Sequence, residues 1–119
     1  MKILYKSQKV EKQCQSLSAA KRLFGGDNRL ALSLQAHINS LCQASTIKDI
    51  IVQKNLNFHS LHGKMKGCFA IDVLTHDNPW RIILVPLNEA EEEFDPCNID
   101  EIASIVKIVE VKEVSHHYE

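Results

Sequence analysis

The fold is decided by residues 68–86, CFAIDVLTHDNPWRIILVP, in which two apolar runs flank a polar segment. The first run, residues 68–74, has the composition of a β-strand. Residues 75–79 are rich in amino acids that favour turns. The second run, residues 80–85, is almost continuously apolar, which is typical of a buried strand. The stretch therefore predicts a β-hairpin.

N-terminal to this hairpin the sequence predicts a short strand and two helices. Residues 3–5 are β-prone, and residues 8–24 place apolar side chains three and four positions apart, as on one face of a helix. Gly25 and Gly26 end that helix, and Asp27 or Asn28 caps the second. The opposite face of the first helix is basic. Its cations are Lys9, Lys12, Lys21 and Arg22.

C-terminal to the hairpin, residues 105–114 alternate in polarity and predict the last strand. Short helical turns are expected at residues 48–52 and 99–103. The strands that follow the two helices are expected to pair antiparallel. The chain is therefore expected to be one domain, residues 1–119, of the α+β class: an N-terminal strand and an αα-hairpin packed on a mainly antiparallel, curved sheet of four or five strands.

Length and composition limit the classes of protein that fit. A chain of 119 residues with 45% apolar and 24% charged residues is a single globular domain. Its longest apolar run is too short to cross a bilayer, and charge returns at Lys6, which argues against a signal peptide. The four cysteines are spread evenly with no paired motif, so we expect reduced thiols and a cytoplasmic protein.

Charge is distributed unevenly along the chain. Residues 1–88 hold 12 Lys and Arg against 5 Asp and Glu, a net +7, whereas residues 89–119 hold 2 against 10, a net −8. A basic body with an acidic end indicates a surface that binds polyanions. A solvated acidic loop on an ordinary protein explains the same pattern. The acidic residues are concentrated in an apparent insertion near residues 87–103.

Three groups of residues are candidates for chemistry. Lys64 and Lys66, if on a strand, share one face, where a polyanion would relieve the repulsion between their ammonium groups. Arg81 follows Trp80 inside an apolar strand, so it either pairs with a carboxylate or points into a concave site. Histidine suits proton transfer near neutral pH, and tyrosine can orient or stack. The third group is the C-terminal segment His116, His117 and Tyr118.

Each group also has a purely structural interpretation. The lysines fit a solvated turn, Arg81 fits an ion pair on the outer sheet, and the histidines fit an exposed tail. Other chemistries have little support in the sequence. His59 and His62, with Cys68, match no standard zinc pattern, and no phosphate-binding glycine loop or nucleophile elbow is present. No metal or cofactor is expected.

Three segments, in this order, resemble one family. The stretch FHSLHGKMKGCFAI, residues 58–71, resembles a glycine-bounded motif of the RelE/ParE toxin superfamily in its HigB-like branch, also called plasmid maintenance killer proteins. Trp80-Arg81-Ile82 resembles the W-R-I strand of that branch. The last strand with His117 and Tyr118 resembles its closing segment. These motifs cover about a third of the chain, and the helices agree in placement.

The resemblance implies the toxin of a bacterial type II toxin–antitoxin pair that cuts messenger RNA on the ribosome without a metal. It implies a helix-turn-helix antitoxin and the ribosome with its mRNA as partners, and no membrane. Lys64, Lys66 and Arg81 would stabilise charge on the phosphate. His116 or His117 would be the acid or base, and Tyr118 would orient or stack.

Other functions stay open at this point. A ParE-like protein inhibits a topoisomerase by binding and has no ribonuclease activity. A degenerate toxin, or another non-catalytic binding module, keeps the fold without the chemistry. The C-terminal order His-His-Tyr-Glu differs from the Asp-Tyr-His of some members, and a net charge of −1 is low for such toxins. The sequence does not assign oligomeric state, RNA sequence preference or the surface that an antitoxin covers.

Overall fold

A single open sheet of five strands organises the computed structural model, which describes residues 1–116. The strand order is β1-β5-β4-β3-β2. The strands are β1 (Lys2–Tyr5), β2 (His59–Ser60), β3 (Phe69–Asp72), β4 (Arg81–Leu87) and β5 (Ile108–Ser115). Together with helices on one face, this sheet confirms the predicted α+β class.

The sheet is mixed because β1 and β5, the first and last strands along the chain, are neighbours that run in the same direction. β2 to β5 pair antiparallel, as the hairpin pattern predicts. β1 instead pairs parallel with β5, from Lys2 opposite Ile108 to Tyr5 opposite Val111. The central strand β4 is buried along its whole length, in agreement with its continuous apolar sequence.

The predicted first helix is two helices. α1 (Gln8–Gln15) ends at Ser16, whose backbone is extended (φ −115°, ψ 121°), and α2 (Leu17–Leu23) begins immediately after it. The Ser16 hydroxyl accepts a hydrogen bond from the backbone N–H of Ala19 at 3.3 Å and caps α2. The prediction of one continuous helix over residues 8–24 was wrong because a serine side chain offers the backbone this alternative to an unbroken helix.

The third helix, α3 (Asn28–Gln43), is the long element predicted after the glycine turn. Gly25 and Gly26 have φ of 64° and 92°, which only glycine adopts without strain. Of the two possible caps, Asp27 is the one used, since its carboxylate accepts from the N–H of Leu30 at 3.1 Å. Two short helices, α4 (Lys48–Ile51) and α5 (Ile99–Ile102), follow α3 and β4, respectively, along the chain.

The two faces of the sheet have different covers. Buried residues of α1, α2 and α3 pack on one face, against Ile71, Ile82 and Val111 among others. On the other face, Ile83 and Val85 are covered by a smaller cluster from the segment before β3. Within residues 1–116, no helix has the length and apolar character needed to cross a membrane.

Candidate nucleic-acid interface

Exposed cations line a groove between α1 and α2. Lys9 and Lys12 lie one helical turn apart on α1, and Arg22 faces them from α2. Gln8 and Gln13 add amide groups to the lining, and the groove has a volume of about 610 Å³. The basic helix face seen in the sequence therefore becomes one wall of a concavity rather than a flat solvated surface.

A second groove, of about 460 Å³, continues the first toward the sheet. The two share Lys9, Gln13 and Leu23 as lining residues. Lys6 adds an exposed cation where β1 ends, and residues 112–114 of β5 form the far wall. We call the combined feature the basic groove and define it by the exposed cations Lys6, Lys9, Lys12 and Arg22.

The end of β1 creates the room for this groove. β1 pairs with β5 only as far as Val111, so the next residues of β5 have no strand beside them on that side. A β-bulge makes Lys112 the extra residue, because Val111 faces Leu84 while Glu113 already faces Ile83. A groove with this density of positive charge can follow the phosphate backbone of a single-stranded nucleic acid.

Arg81 is a buried, ion-paired side chain. It is 6% exposed, and its Nε lies 2.9 Å from Oδ1 of Asp72, itself 1% exposed. Asn57 donates a further hydrogen bond to that carboxylate at 3.3 Å. Of the two possibilities that the sequence left open, the structure contains the ion pair. The guanidinium that the resemblance assigns to phosphate is therefore engaged within the fold, and its contact with phosphate stays a prediction.

The same guanidinium organises the loop that joins β3 to β4. Its Nη1 donates to the carbonyls of Asn78 and, at 2.9 Å, Trp80, and its Nη2 donates to the carbonyl of His76 at 3.0 Å. The Asn78 side chain in turn accepts from the N–H of Trp80 at 3.0 Å. Arg81 therefore satisfies the carbonyls of a turn that residues 75–79 alone leave open.

Trp80 connects this loop to the end of α2 and to the residue that follows β5. Its ring meets Phe24, at the end of α2, edge to face with 4.9 Å between ring centroids. It meets the imidazole of His116 edge to face at 4.1 Å. Phe24 follows Leu23 of the basic groove, and His116 follows Val114 of the same lining by two residues. His116 therefore lies close to the sheet end of the groove but is not one of the residues that line it.

The other two residues of the predicted closing segment, His117 and Tyr118, lie outside the described residues. His116 itself is exposed and directly follows β5, whose last residue, Ser115, pairs with Arg81. The structure thus brings Arg81 and His116 to the same end of the sheet.

Lys64 and Lys66 lie elsewhere. Residues Gly63–Met65 form a 3₁₀ turn, not a strand, and both lysines are exposed. The prediction that strand spacing places them on one face was wrong, because Lys64 lies within this turn and Lys66 directly follows it, so neither lies on a strand. Gly63 and Gly67, with φ of 64° and 90°, bend the chain there. Their backbone geometry explains the glycine-bounded pattern in structural terms.

Pairing in the sheet separates the two groups of predicted site residues. Phe69, at the start of β3, pairs with Leu84, whereas Asp72, at its end, pairs with Arg81. Three residue steps along the strand separate these pairs, a distance of about 10 Å. Lys64 and Lys66 precede the start of β3, whereas Arg81 lies opposite its last residue and His116 follows Ser115, the partner of Arg81 on β5. The predicted constellation of lysines, arginine and histidine is therefore divided between two ends of the sheet.

The acidic segment folds back on its own end of the molecule. Asn88 Oδ1 accepts from the N–H groups of Ala90 and Glu92, and Glu91 pairs with Lys2 at 2.6 Å. Residues 93–97 share a cleft of about 530 Å³ with Lys66 and Gly67. The segment follows Leu87, which pairs with Ile108, so it starts about 17 Å along β5 from the groove end at Glu113.

The cysteines of the described residues are free thiols, and burial makes most of them weak acids. Burial raises the pKa of Cys14 to about 12 and also raises the pKa of Cys68 and Cys97. Lys112 Nζ lies 4.0 Å from the Cys68 sulfur and opposes that shift. A thiol held in its protonated form is a poor nucleophile.

Metal ligation has no grouped donors in the part of the chain that the structure describes. No three His, Cys, Asp or Glu side chains there are placed together to hold an ion. His59 uses its Nδ1 on the carbonyl of Asn57 at 2.7 Å.

Neither the models of known protein families nor the curated proteins match this chain. Lys9, Lys12 and Arg22 were visible in the sequence as a basic helix face. Lys6 was not identified from the sequence as a candidate binding residue. Its position between the first strand and the cap of the first helix was the feature that could have indicated it, because a side chain there borders the groove.

Proposed function

We propose that this protein is a toxin resembling the HigB-like branch of the RelE/ParE superfamily, and that it cuts messenger RNA on the ribosome. The observation that carries the proposal is the basic groove with its four exposed cations, to which His116 lies close along β5. The α+β fold, with its strand, helical hairpin and sheet in order, supports the same family. The proposed location is the bacterial cytoplasm, with a helix-turn-helix antitoxin as partner.

The proposed reaction needs only groups that an RNA chain and protein side chains supply. The 2′-hydroxyl gives its proton to a base and attacks the neighbouring phosphorus, which forms a 2′,3′-cyclic phosphate. The bond to the 5′-oxygen breaks, and that oxygen takes a proton from an acid. Within residues 1–116, His116 is the candidate for the acid or the base. His117 and Tyr118 are further candidates. Groove cations would stabilise negative charge on the phosphate.

The test is inducible expression in bacteria without antitoxin, with the 5′ ends of transcripts mapped after induction. We expect growth arrest and new cuts inside translated frames. A groove variant carrying Lys9→Gln, Lys12→Gln and Arg22→Gln should lose both effects. The matched control replaces three exposed lysines outside the groove and changes net charge equally: Lys48→Gln, Lys54→Gln and Lys107→Gln. Cuts that persist in the groove variant would contradict the assignment of the groove.

A second candidate function is binding without cleavage, either as a ParE-like topoisomerase inhibitor or as a degenerate toxin. The specific observation in its favour is the ion pair of Arg81 with Asp72, because it gives a predicted catalytic cation a structural role instead. The separation of Lys64 and Lys66 from that end of the sheet favours it as well. Growth arrest without RNA cuts would support the topoisomerase inhibitor, and folded protein without arrest would support a binding module.

A further inference from the structure

We propose that Trp80 is a positioning residue, which holds the imidazole of His116 close to the sheet end of the basic groove and is itself held by Arg81. This inference rests on the proposed ribonuclease function for its catalytic meaning. The geometric part, in which one indole ring orients one imidazole, stands independently of that function.

The first step is the contact between the rings. The centroids of Trp80 and His116 are 4.1 Å apart with 87° between the ring planes, which is a close edge-to-face arrangement. Edge-to-face aromatic pairs have a preferred geometry because the positive edge of one ring meets the negative face of the other. His116 is an exposed residue just beyond the last strand. The contact with the indole therefore limits the orientations that its imidazole adopts.

The second step is the restraint on Trp80. Its ring packs at 4.9 Å against Phe24, which is buried at the end of α2. Its N–H and its carbonyl are both hydrogen-bonded, the carbonyl to Arg81 at 2.9 Å and to the N–H of Val73 at 3.2 Å. Arg81 is anchored by the buried carboxylate of Asp72. A rigid support of this kind is what a catalytic acid or base requires.

The third step is the location. His116 lies two residues beyond Val114, and Phe24 directly follows Leu23, both of which line the basic groove, so the positioned imidazole lies close to that groove. Misplacing a reacting group by about 1 Å costs on the order of 100-fold in rate. Arg81 thus contributes to the proposed reaction through Trp80 and His116 rather than by touching phosphate.

The experiment compares Trp80→Leu, Trp80→Phe and a control, Phe58→Leu, which removes one ring of a different stacked pair at 5.1 Å. Single-turnover cleavage of mRNA on programmed ribosomes gives the rate constant and the concentration for half-saturation. We expect Trp80→Leu to lower the rate constant by about 10- to 100-fold with half-saturation unchanged. Trp80→Phe should recover most of the rate, and Phe58→Leu should retain it.

A second measurement separates the two proposals. NMR spectra of the histidine ring protons report ring currents from Trp80, so the His116 signals should move in Trp80→Leu and stay in Phe58→Leu. Signals of His116 that are the same in wild type and Trp80→Leu would overturn the positioning role, even if the wild type cuts RNA. A wild type that cuts no RNA would overturn the proposed function while the same spectra still decide whether Trp80 positions His116. An unchanged cleavage rate in Trp80→Leu would also overturn the inference.

Discussion

Asp72 and Arg81 form a buried ion pair that supports the loop between β3 and β4. Their charges lie almost entirely out of solvent, at 1% and 6% exposure, and are balanced by each other and by the loop carbonyls. Removing one partner of such a pair leaves the other charged and buried, at a cost of about 3–5 kcal/mol. The arginine of the W-R-I strand is thus explained by the folding of its own loop.

We expect Arg81→Ala to lower the free energy of unfolding by about 3–5 kcal/mol, because Asp72 is then buried without a cation. Urea unfolding followed by circular dichroism measures this loss. Replacing the exposed Arg29 by Ala is the control and should change the free energy by less than about 0.5 kcal/mol. An Arg81→Ala protein as stable as the wild type would contradict the structural role assigned here.

The thiols provide a second prediction at this scale. Cys42 is exposed, whereas Cys14 is 2% exposed and burial raises its pKa to about 12. A thiol reagent at pH 8 should therefore label Cys42 first and Cys14 last in the folded protein, because only an accessible thiolate reacts. Mass spectrometry of a time course identifies the labelled residues. Early labelling of Cys14 would mean that α1 opens far more readily than its packing suggests.

Elements were predicted well where local sequence determines them. The glycine turn, the cap at Asp27 and the long apolar spacing of α3 are all local signals, and α3 was confirmed. The break at Ser16 was missed because apolar spacing continues across it, while one hydroxyl decides the local geometry. The strand spacing assumed for Lys64 and Lys66 failed for a related reason, since two glycines with positive φ turn the chain instead.

The candidate site was less predictable than the elements. The basic face of α1 and α2 was visible in the sequence, but its position beside the unpaired end of β5 depends on where β1 stops. Likewise, a carboxylate partner for Arg81 was one of two options, and only the register of β3 with β4 places Asp72 opposite it. Sequence patterns report faces of elements, whereas sites depend on how distant elements align.

His37 on α3 makes the stability of the protein depend on pH, because it is partly buried where the helix packs on the sheet. Burial lowers its pKa below the usual 6.5, although a hydrogen bond with the Val73 backbone and the charge of Asp72 oppose that shift. Between the lowered pKa and about 6.5, the unfolded chain binds more protons at this residue than the folded one. The contribution of His37 to stability is therefore full above pH 6.5 and falls as pH decreases through that range.

We expect His37→Gln to flatten the loss of stability between about pH 7 and pH 5, relative to wild type. Thermal or urea unfolding at a series of pH values measures the slope. His62→Gln, at an exposed histidine, is the control and should retain the wild-type slope. A slope that is the same in all three proteins would show that α3 leaves His37 accessible to solvent.

At the scale of the whole molecule, the basic groove and the acidic segment lie toward opposite ends of β5. The basic groove borders one end of β5, whereas the acidic segment is bonded to Lys2 and borders Lys66 at the other end. A net charge of −1 therefore conceals a local excess of positive charge in the basic groove. Fields of this kind steer a charged partner to one face and orient it before contact.

That separation predicts how binding of an RNA oligonucleotide responds to salt. Each phosphate contact to a single strand contributes about −0.7 to the slope of the logarithm of the binding constant against the logarithm of salt concentration. Replacing Lys9, Lys12 and Arg22 by Gln should therefore make the slope shallower by up to about 2 and weaken binding at low salt. Fluorescence anisotropy of a labelled, unstructured oligonucleotide measures both quantities.

The control for this titration is the triple variant Lys48→Gln, Lys54→Gln and Lys107→Gln, which loses the same charge from exposed positions outside the groove. If only net charge matters, the two variants will weaken binding equally, since a uniform field does not distinguish their positions. If the groove holds the backbone, the slope will change in the groove variant alone, because only direct neutralisation of phosphates releases their counterions. Equal slopes in all three proteins would move the RNA contact away from α1 and α2.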